Sequence, residues 1–335
     1  MIGILNPEIR FALEAVRKAS LLARRVQTDM IKPTSMTKSD ESPVTVADLA
    51  AQAVIASLLK QVFPNDSLVG EEDSKILQAP ESKATLDQVT HYVRSFFPEV
   101  SSLEVCEWID QGQGEPKGRF WTLDPIDGTK GFLRGDQYAV ALALIVGGKV
   151  EIGVLGCPNL KEARLPQVGG PGSLVIAVRG KGAWASPLDG KEDFVPLHVS
   201  NRTEAAKIVL LRSFDTGHTN ADEIEALRGV LGIQASAILL DSLAKYSLLA
   251  SGGADLYFRL LSPNHPNYRE CIWDQASGTI ILEEAGGLVT DLDGKPLDFT
   301  TGRKLTNNRG VLASNGHVHS MALDALRKLH STGRH

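Results

Sequence analysis

Apolar residues recur at helical spacing near the start of the chain and again after residue 45. Residues 8–28 place one apolar helical face, formed by Ile9, Leu13, Val16 and Ala19 or Ala23. Thr45 is followed three residues later by Asp48, ahead of a helical pattern over residues 46–62, which predicts a second helix with a capped N-terminus. The polar stretch of residues 31–43 contains two prolines and predicts an exposed loop between these helices.

Shorter apolar runs follow in the rest of the first half. Residues 67–73 begin as a short strand and end in three acidic residues. Residues 74–105 are more polar and are predicted to be mostly helical. The segment FWTLDPIDG at residues 120–128 predicts a strand that ends in a turn. Residues 138–156 contain two apolar runs separated by a pair of glycines, the pattern of a β-hairpin with a two-residue turn.

The pattern changes after residues 163–172, which contain Gly and Pro and predict a linker. Beyond them, strand-like runs alternate with predicted helices, which include residues 219–231, 274–285 and 317–330. The helix that opens at Asp274 ends at two glycines, a common helix-end signal. We therefore predict an α+β chain of two domains, with antiparallel strands in residues 1–165 and an α/β arrangement in residues 166–335.

The composition is that of an ordinary globular chain. Of the 335 residues, 43% are hydrophobic and 22% are charged, and the net charge of -5 gives no reason to expect nucleic-acid binding. The three cysteines are far apart, which argues against a disulfide framework or a zinc site. The longest apolar run, residues 138–146, is too short to span a membrane as a helix, and the first residues do not resemble a signal peptide. We expect a cytoplasmic protein without membrane partners.

Acidic residues gather at the ends of the predicted elements. Asp124 and Asp127 share one turn, although both are also common turn residues that bond their own backbone. Glu71 and Glu72 follow a strand and Asp274 opens a helix, positions where α/β folds present ligand-binding groups. Five carboxylates without matching histidines or cysteines favour a hard cation such as Mg²⁺. Because adjacent residues after a strand point to opposite faces, only one of the two glutamates is expected to ligate it directly.

Three separated blocks carry a resemblance to a known family: GEED at 70–73, LDPIDGTKGF at 123–132 and WDQASG at 273–278. They resemble the signature blocks of the inositol monophosphatase superfamily, a group of lithium-sensitive, magnesium-dependent phosphatases. The stretches FLRGDQYAVALAL, DSLAKYSLLASG and KPLDF are similar, more narrowly, to the 3'(2'),5'-bisphosphate nucleotidases of plants and fungi. The likeness covers most of the chain and implies a layered αβαβα sandwich of the sugar-phosphatase type.

The resemblance also implies roles for individual residues. It implies two or three Mg²⁺ ions, held by Glu71, Asp124, the backbone carbonyl of Ile126, Asp127 and Asp274. The pair that takes a proton from the attacking water would be Asp48 and Thr129. Glu72 would support the metal site from a second layer. The substrate would be contacted by Gly128, Thr129, His218, Ser242, Lys245, Arg259 and Asp274.

Several of these residues have simpler interpretations. Asp48 also fits the capping box of the second helix, and the two roles are compatible because a helix N-terminus keeps an aspartate ionised. A lysine such as Lys245 usually lies on a solvated helix face, Arg259 could be an edge charge, and His218 could be an ordinary loop residue. The loop of residues 261–271 is longer than the family pattern, and its last residue is a cysteine where a basic residue is common.

The implied activity is hydrolysis of the 3'-phosphate of adenosine 3',5'-bisphosphate to give AMP and phosphate, with lithium inhibition and with action on the sulfated form of this nucleotide. One alternative is a phosphatase of the same superfamily that acts on inositol phosphates. Another is a non-catalytic nucleotide or metal sensor, but Asp48 and Thr129 argue against it because a protein that only binds needs neither. The expected oligomeric state is a monomer.

Overall fold

The computed structural model describes residues 6–29, 35–37, 43–190, 193–214 and 220–332. The helices are α1 (Pro7–Asp29), α2 (Val46–Val62), α3 (Lys83–Val93), α4 (Ser102–Asp110), α5 (Thr129–Leu133), α6 (Ala221–Leu231), α7 (Ala244–Ala250), α8 (Ala276–Glu284) and α9 (His319–Thr332). Short 3-10 turns lie at Lys75–Leu77, Pro80–Ser82 and Ala205–Lys207.

The strands follow the same order along the chain. They are β1 (Met36–Thr37), β2 (Pro43–Val44), β3 (Ser67–Gly70), β4 (Arg119–Asp127), β5 (Ala139–Val146), β6 (Lys149–Cys157), β7 (Leu160–Lys161), β8 (Leu165–Pro166), β9 (Ser173–Val178), β10 (Gly182–Pro187), β11 (Val195–Leu197), β12 (Leu210–Arg212), β13 (Ile238–Leu239), β14 (Leu256–Arg259), β15 (Leu288–Thr290) and β16 (Val311–Ser314).

Within the described residues, two main sheets form. The first has the order β11-β10-β9-β6-β5-β4-β3 and is antiparallel except for the parallel pair of β3 and β4. The second has the order β13-β12-β14-β16-β15, with parallel pairing around β12 and antiparallel pairing around β16. Two-stranded ladders join β1 to β2 and β7 to β8.

Helices and sheets stack in five layers. Helices α1 and α2 cover one face of the first sheet through side chains such as Leu49, Trp121 and Leu142. Its other face packs on α7 and α8, which also contact one face of the second sheet. The far face of the second sheet is covered by α6 and α9. The order is therefore helix, sheet, helix, sheet, helix, which confirms the αβαβα sandwich.

Strand β5 shows why the two faces of the first sheet receive different partners. Its alanines, Ala139, Ala141 and Ala143, face α7 and α8, whereas the larger alternate side chains face α1 and α2. On the neighbouring strand, a Cβ added to Gly153 would overlap Ile280 and lie 2.9 Å from Ser277 Cα. Small residues therefore let α8 approach the sheet closely, and this places the residues just before α8 beside the ends of β3 and β4.

Many predicted elements are confirmed. The first helix, the capped second helix and the hairpin of β5 and β6 lie where the pattern predicts them, and both hairpin glycines have positive φ, as a two-residue turn requires. The helix predicted over residues 274–285 begins two residues later than expected, because α8 starts at Ala276 and not at Asp274. Strands β11 and β15 were not predicted, since three residues show little periodicity. The predicted loop of residues 31–43 lies mostly outside the described residues.

The predicted domain boundary does not coincide with a change of sheet. Strands β9, β10 and β11 follow residue 165, yet they extend the first sheet, and the second sheet begins only at Leu210. The linker-like composition of residues 163–172 therefore marks a connection within one sheet. The division into two domains at residue 165 stays a prediction. In the described parts of the chain, no helix is both long and apolar enough to cross a membrane.

Candidate active site

The turn of Asp124 and Asp127 is an irregularity inside β4. Asp124 pairs with Ala141 and Asp127 pairs with Ala139, so three steps on β4 face two steps on β5. This extra residue is a β-bulge, which redirects side chains at the end of a strand. The Ile126 amide donates to Asp124 Oδ1 at 3.1 Å, so the expected local turn bond is present. The same bond fixes the carboxylate orientation, and the structural and chemical interpretations of this turn coexist.

Gly128 and Thr129 complete the turn. Gly128 has a φ of 86°, and a Cβ at this position would lie 2.9 Å from Ser242 Cβ, so glycine permits both the left-handed backbone and the close approach. The Thr129 hydroxyl lies 3.1 Å from the Ile126 carbonyl oxygen and 3.4 Å from Asp48 Oδ1, both of which can accept its proton. Thr129 therefore links the turn to the start of α2.

Asp48 lies in the first turn of α2 and is 1% exposed. Its Oδ2 accepts hydrogen bonds from the Thr45 amide at 2.8 Å and from the Thr45 hydroxyl at 2.6 Å, which confirms the predicted capping box. Its Oδ1 lies toward Thr129. One oxygen thus holds the helix start and the other lies beside the hydroxyl that is predicted to activate water, so the two interpretations of Asp48 are compatible.

The two glutamates after β3 have different surroundings. The Glu71 amide donates to the Leu123 carbonyl at 3.1 Å, which holds Glu71 beside the acidic turn, and its side chain lines a cavity. Glu72 is 3% exposed and does not line this cavity; its backbone is held on both sides by the side-chain amide of Gln52, at 2.6 Å and 3.1 Å. This difference agrees with the expectation that only one of them faces the site.

The cavity lies between the two sheets and has a volume of about 200 Å³. The first half of the chain and the residues before α8 contribute an acidic side, formed by Glu71, Asp127 and Asp274. The second sheet and α7 contribute a cationic side, formed by Lys245 and Arg259. Gly128, Thr129 and Ser242 also line the cavity, so the structure brings most predicted site residues together. His218 lies outside the described residues.

The acidic residues repel one another strongly. Burial raises the pKa of Asp124, and the charges of Glu71, Asp127, Asp274 and Asp48 raise it further. Burial, Glu270 and Glu71 likewise raise the pKa of Asp274, and burial raises the pKa of Asp127 to about 6 despite Lys245. A bound cation would stabilise the ionised form of these clustered carboxylates. Their oxygen atoms are the donors that Mg²⁺ prefers.

The acidic side is not arranged as a finished coordination shell. Among the described residues, no three acidic, histidine or cysteine side chains stand close enough to ligate one ion as placed. Glu71, Asp127 and Asp274 nevertheless line one cavity, so a cation bound there would lie between them. The chemistry of the donors fits a divalent cation, provided that the side chains turn toward it on binding.

The positions of Lys245 and Arg259 show that the simpler interpretations of these two residues were wrong. Lys245 is 5% exposed, not on a solvated helix face; its ammonium donates to the Leu240 carbonyl at 3.2 Å and lies 5.1 Å from the Tyr257 ring centroid. Burial lowers its pKa to about 8, so it remains mainly charged near neutrality. Arg259 is not an edge charge, because β14 lies in the middle of the second sheet. Ser242 adopts a φ of 66°, which turns the chain into α7.

Sequence reasoning missed two acidic residues that line the cavity and pair with arginines. Arg259 Nε donates to Glu270 Oε1 at 3.1 Å, and the other oxygen of Glu270 accepts from Gln275 at 3.1 Å. Asp241 accepts from Arg134, which follows α5, and both Asp241 and Glu270 line the cavity. An arginine in an otherwise apolar strand predicts an acidic partner nearby, because buried charges are normally paired.

Comparisons with known proteins agree with this geometry. The sequence profile of the inositol monophosphatase family matches residues 5–331. The chain is 41% identical to 3'(2'),5'-bisphosphate nucleotidase 2 of Candida albicans, over 96% of this chain and 97% of that protein. It is 40% identical to the 3'(2'),5'-bisphosphate nucleotidase of Schizosaccharomyces pombe, over 98% of both. Its fold is similar to that of the Thermotoga maritima IMPase, with a TM-score of 0.67 and 20% identity, over 97% of this chain and 98% of that one.

Proposed function

The chain belongs to the inositol monophosphatase family, and on this premise we propose that it is a 3'(2'),5'-bisphosphate nucleotidase. It removes the 3'-phosphate of adenosine 3',5'-bisphosphate to give AMP and phosphate, and it acts in the same way on the sulfated nucleotide. The observation that carries this proposal is that one cavity has both a carboxylate side and a cationic side. A substrate with two phosphates suits it, since one phosphate needs metal ions and the other needs protein cations.

The acidic side is where two or three Mg²⁺ ions would bind. Glu71, Asp124 and the Ile126 carbonyl would hold one, and Asp124, Asp127 and Asp274 another. When bound, such ions lower the pKa of water and neutralise charge on the phosphoryl group. The carboxylates themselves keep this side of the cavity negative, so it does not attract the phosphate until cations are present.

Asp48 and Thr129 are the proposed acceptors of the water proton. If the Thr129 hydroxyl donates to Asp48 Oδ1, its oxygen is left to accept from water. As water attacks phosphorus, its proton passes through Thr129 to Asp48, the bond from phosphorus to the 3'-oxygen breaks, and that oxygen takes a proton from a second water molecule. The backbone amides of Gly128 and Thr129 would support the phosphoryl oxygens.

The cationic side would hold the rest of the nucleotide. The planar guanidinium of Arg259, oriented by Glu270, suits the oxygens of the 5'-phosphate, and the ammonium of Lys245 adds a second charge. Ser242 and His218 would complete the contacts. The protein is proposed to act as a monomer in the cytoplasm, on small nucleotides only.

The test is phosphate release from adenosine 3',5'-bisphosphate with Mg²⁺, with and without lithium in the millimolar range. Inositol 1-phosphate serves as the matched substrate, because it offers a phosphate to the acidic side and nothing to the cationic side. Lithium-sensitive release from the nucleotide alone supports the proposal. Preference for the inositol ester would move the chain to the other branch of the family, and binding without release from either substrate would make it a sensor.

A further inference from the structure

Arg303 connects three segments that surround the acidic side of the cavity. Its guanidinium donates to the Gly70 carbonyl through Nη2 and to the Gly112 carbonyl through Nη1 at 3.3 Å. The same group stacks on Trp273, with 4.9 Å between its central carbon and the ring centroid. Its own carbonyl accepts from the Ile272 amide at 3.0 Å. One half-buried side chain therefore contacts both the end of β3 and the segment before α8.

These contacts lie next to two predicted metal ligands. Gly70 immediately precedes Glu71, and Trp273 immediately precedes Asp274. Glu71 follows a strand of the first sheet, whereas Asp274 precedes a helix that lies between the sheets. The two ligands are about 200 residues apart along the chain, so their spacing depends on tertiary contacts of the kind that Arg303 makes.

Gln52 holds the Glu71 segment from the opposite side. Its side-chain amide donates to the Glu72 and Ile109 carbonyls at 2.6 Å and 2.7 Å, and its oxygen accepts from the Glu72 amide at 3.1 Å. A Cβ on Gly70 would lie 2.5 Å from this oxygen, so the absence of a side chain at Gly70 lets Gln52 approach closely enough to form these hydrogen bonds. Gln52 already fixes the Glu71 segment to the first layers. What Arg303 adds is therefore control of the distance between this segment and Asp274.

We propose that Arg303 is a positioning residue that sets the spacing between Glu71 and Asp274 for binding divalent cations. The inference rests on the proposed function but concerns metal affinity, not the nucleotide. Arg303 does not line the cavity, so it acts through its contacts with Gly70, Gly112 and Trp273. We expect the planar shape of the guanidinium, and not its charge, to set this spacing. A lysine keeps the charge, but it cannot donate to two carbonyls from one planar group and stack on the Trp273 indole at once.

The experiment measures Mg²⁺ binding by calorimetry with the metal alone, for the wild type, Arg303→Lys and Arg303→Met. Supporting residues around a metal site typically contribute about 10- to 100-fold in affinity, so we expect a loss in this range for both variants. The KM for the nucleotide at saturating Mg²⁺ should change little. Trp273→Leu, which removes the stacking surface but keeps an apolar side chain against the core, should weaken Mg²⁺ binding in the same direction and by less.

The control is Arg309→Lys, an arginine paired with Asp293 on the exposed surface, which should leave Mg²⁺ affinity unchanged. Unfolding in urea checks that each variant is folded before titration. If Arg303→Lys binds Mg²⁺ as tightly as the wild type, or only loses stability, the positioning role is wrong while the proposed function stands. If the wild type itself does not bind Mg²⁺, both proposals fail. If it binds Mg²⁺ but releases no phosphate, the proposed function fails and the affinity comparison still decides the role of Arg303.

Discussion

The two sides of the cavity are built in opposite ways. The acidic side consists of residues at the ends of elements, where local backbone bonds hold them, as in the Asp48 capping box and the bond from Ile126 to Asp124. The cationic side consists of Lys245 inside α7 and Arg259 at the end of a central strand, which pairs with Glu270. Local chemistry is visible in sequence motifs, whereas long-range pairing is not.

Asp127 is where the two sides meet. Its carboxylate accepts from the Leu243 amide at the start of α7, and Lys245 opposes the rise of its pKa. Gly128 lies against Ser242 at the same junction. The acidic turn is therefore braced by the element that carries the cation, so a change on one side is expected to affect the other.

The largest expected effect comes from Asp124, a buried carboxylate beside the acidic side of the cavity. Asp124→Asn keeps the size of the side chain but removes a charge that two metal ions would share. We expect kcat for adenosine 3',5'-bisphosphate to fall on the order of 10⁴-fold or more, as for other residues that act as part of one catalytic unit. The control is Asp293→Asn on the exposed surface. An Asp124→Asn enzyme with near-normal turnover would contradict the metal assignment.

The next effect concerns proton transfer. Thr129→Val removes the hydroxyl beside Asp48, and kcat should fall about 10²- to 10⁴-fold, the usual contribution of general base catalysis. Mg²⁺ binding by calorimetry should not change, because Thr129 is not a proposed metal ligand. Thr129→Ser restores the hydroxyl and should recover most of kcat. If the serine variant is as slow as the valine variant, the methyl group and not the hydroxyl matters.

The cationic side should affect binding rather than metal chemistry. Lys245→Met removes a buried charge near the proposed 5'-phosphate, and hydrogen bonds to charged groups contribute about 1.5–3 kcal/mol. We therefore expect the KM for the bisphosphate to rise about 10- to 100-fold, while turnover of inositol 1-phosphate falls much less, only through the loss of the Lys245 charge beside Asp127. Lys207→Met, at an exposed pair with Glu204, is the control. An equal loss on both substrates would place Lys245 in the reaction itself.

The smallest effect tests the contact between the two sides. Gly128→Ala places a side chain in a left-handed conformation, which costs about 1–2 kcal/mol, and also crowds Ser242. Gly135→Ala has a similar φ of 74° but no neighbour within 4 Å, so it measures the backbone cost alone. Urea unfolding should show a larger loss of stability for Gly128→Ala. Equal losses of stability in the two variants would mean that the contact between Gly128 and Ser242 can open to admit a methyl group without further cost.

Much of the fold was predictable because its elements are long or strongly patterned. Helix α1 shows clear periodicity, α2 is a long apolar segment that opens with a capping box, and the glycine pair between β5 and β6 defines its turn. The hairpin of β9 and β10 was predicted to belong to a second domain, because a linker-like composition precedes it, whereas it extends the first sheet. Nothing local distinguishes a strand that joins the preceding sheet from one that starts another, since pairing partners are chosen by packing.

The sequence by itself predicted where the acidic residues lie, because turn, cap and strand-end signals lie within a few residues of each carboxylate. Only the tertiary structure decided that Lys245 is buried, that Arg259 pairs with Glu270, and that Arg303 links the segments of Glu71 and Asp274. These contacts join residues that are distant in the chain or depend on which face of an element is covered. Such facts follow from the packing of the layers and not from any local pattern.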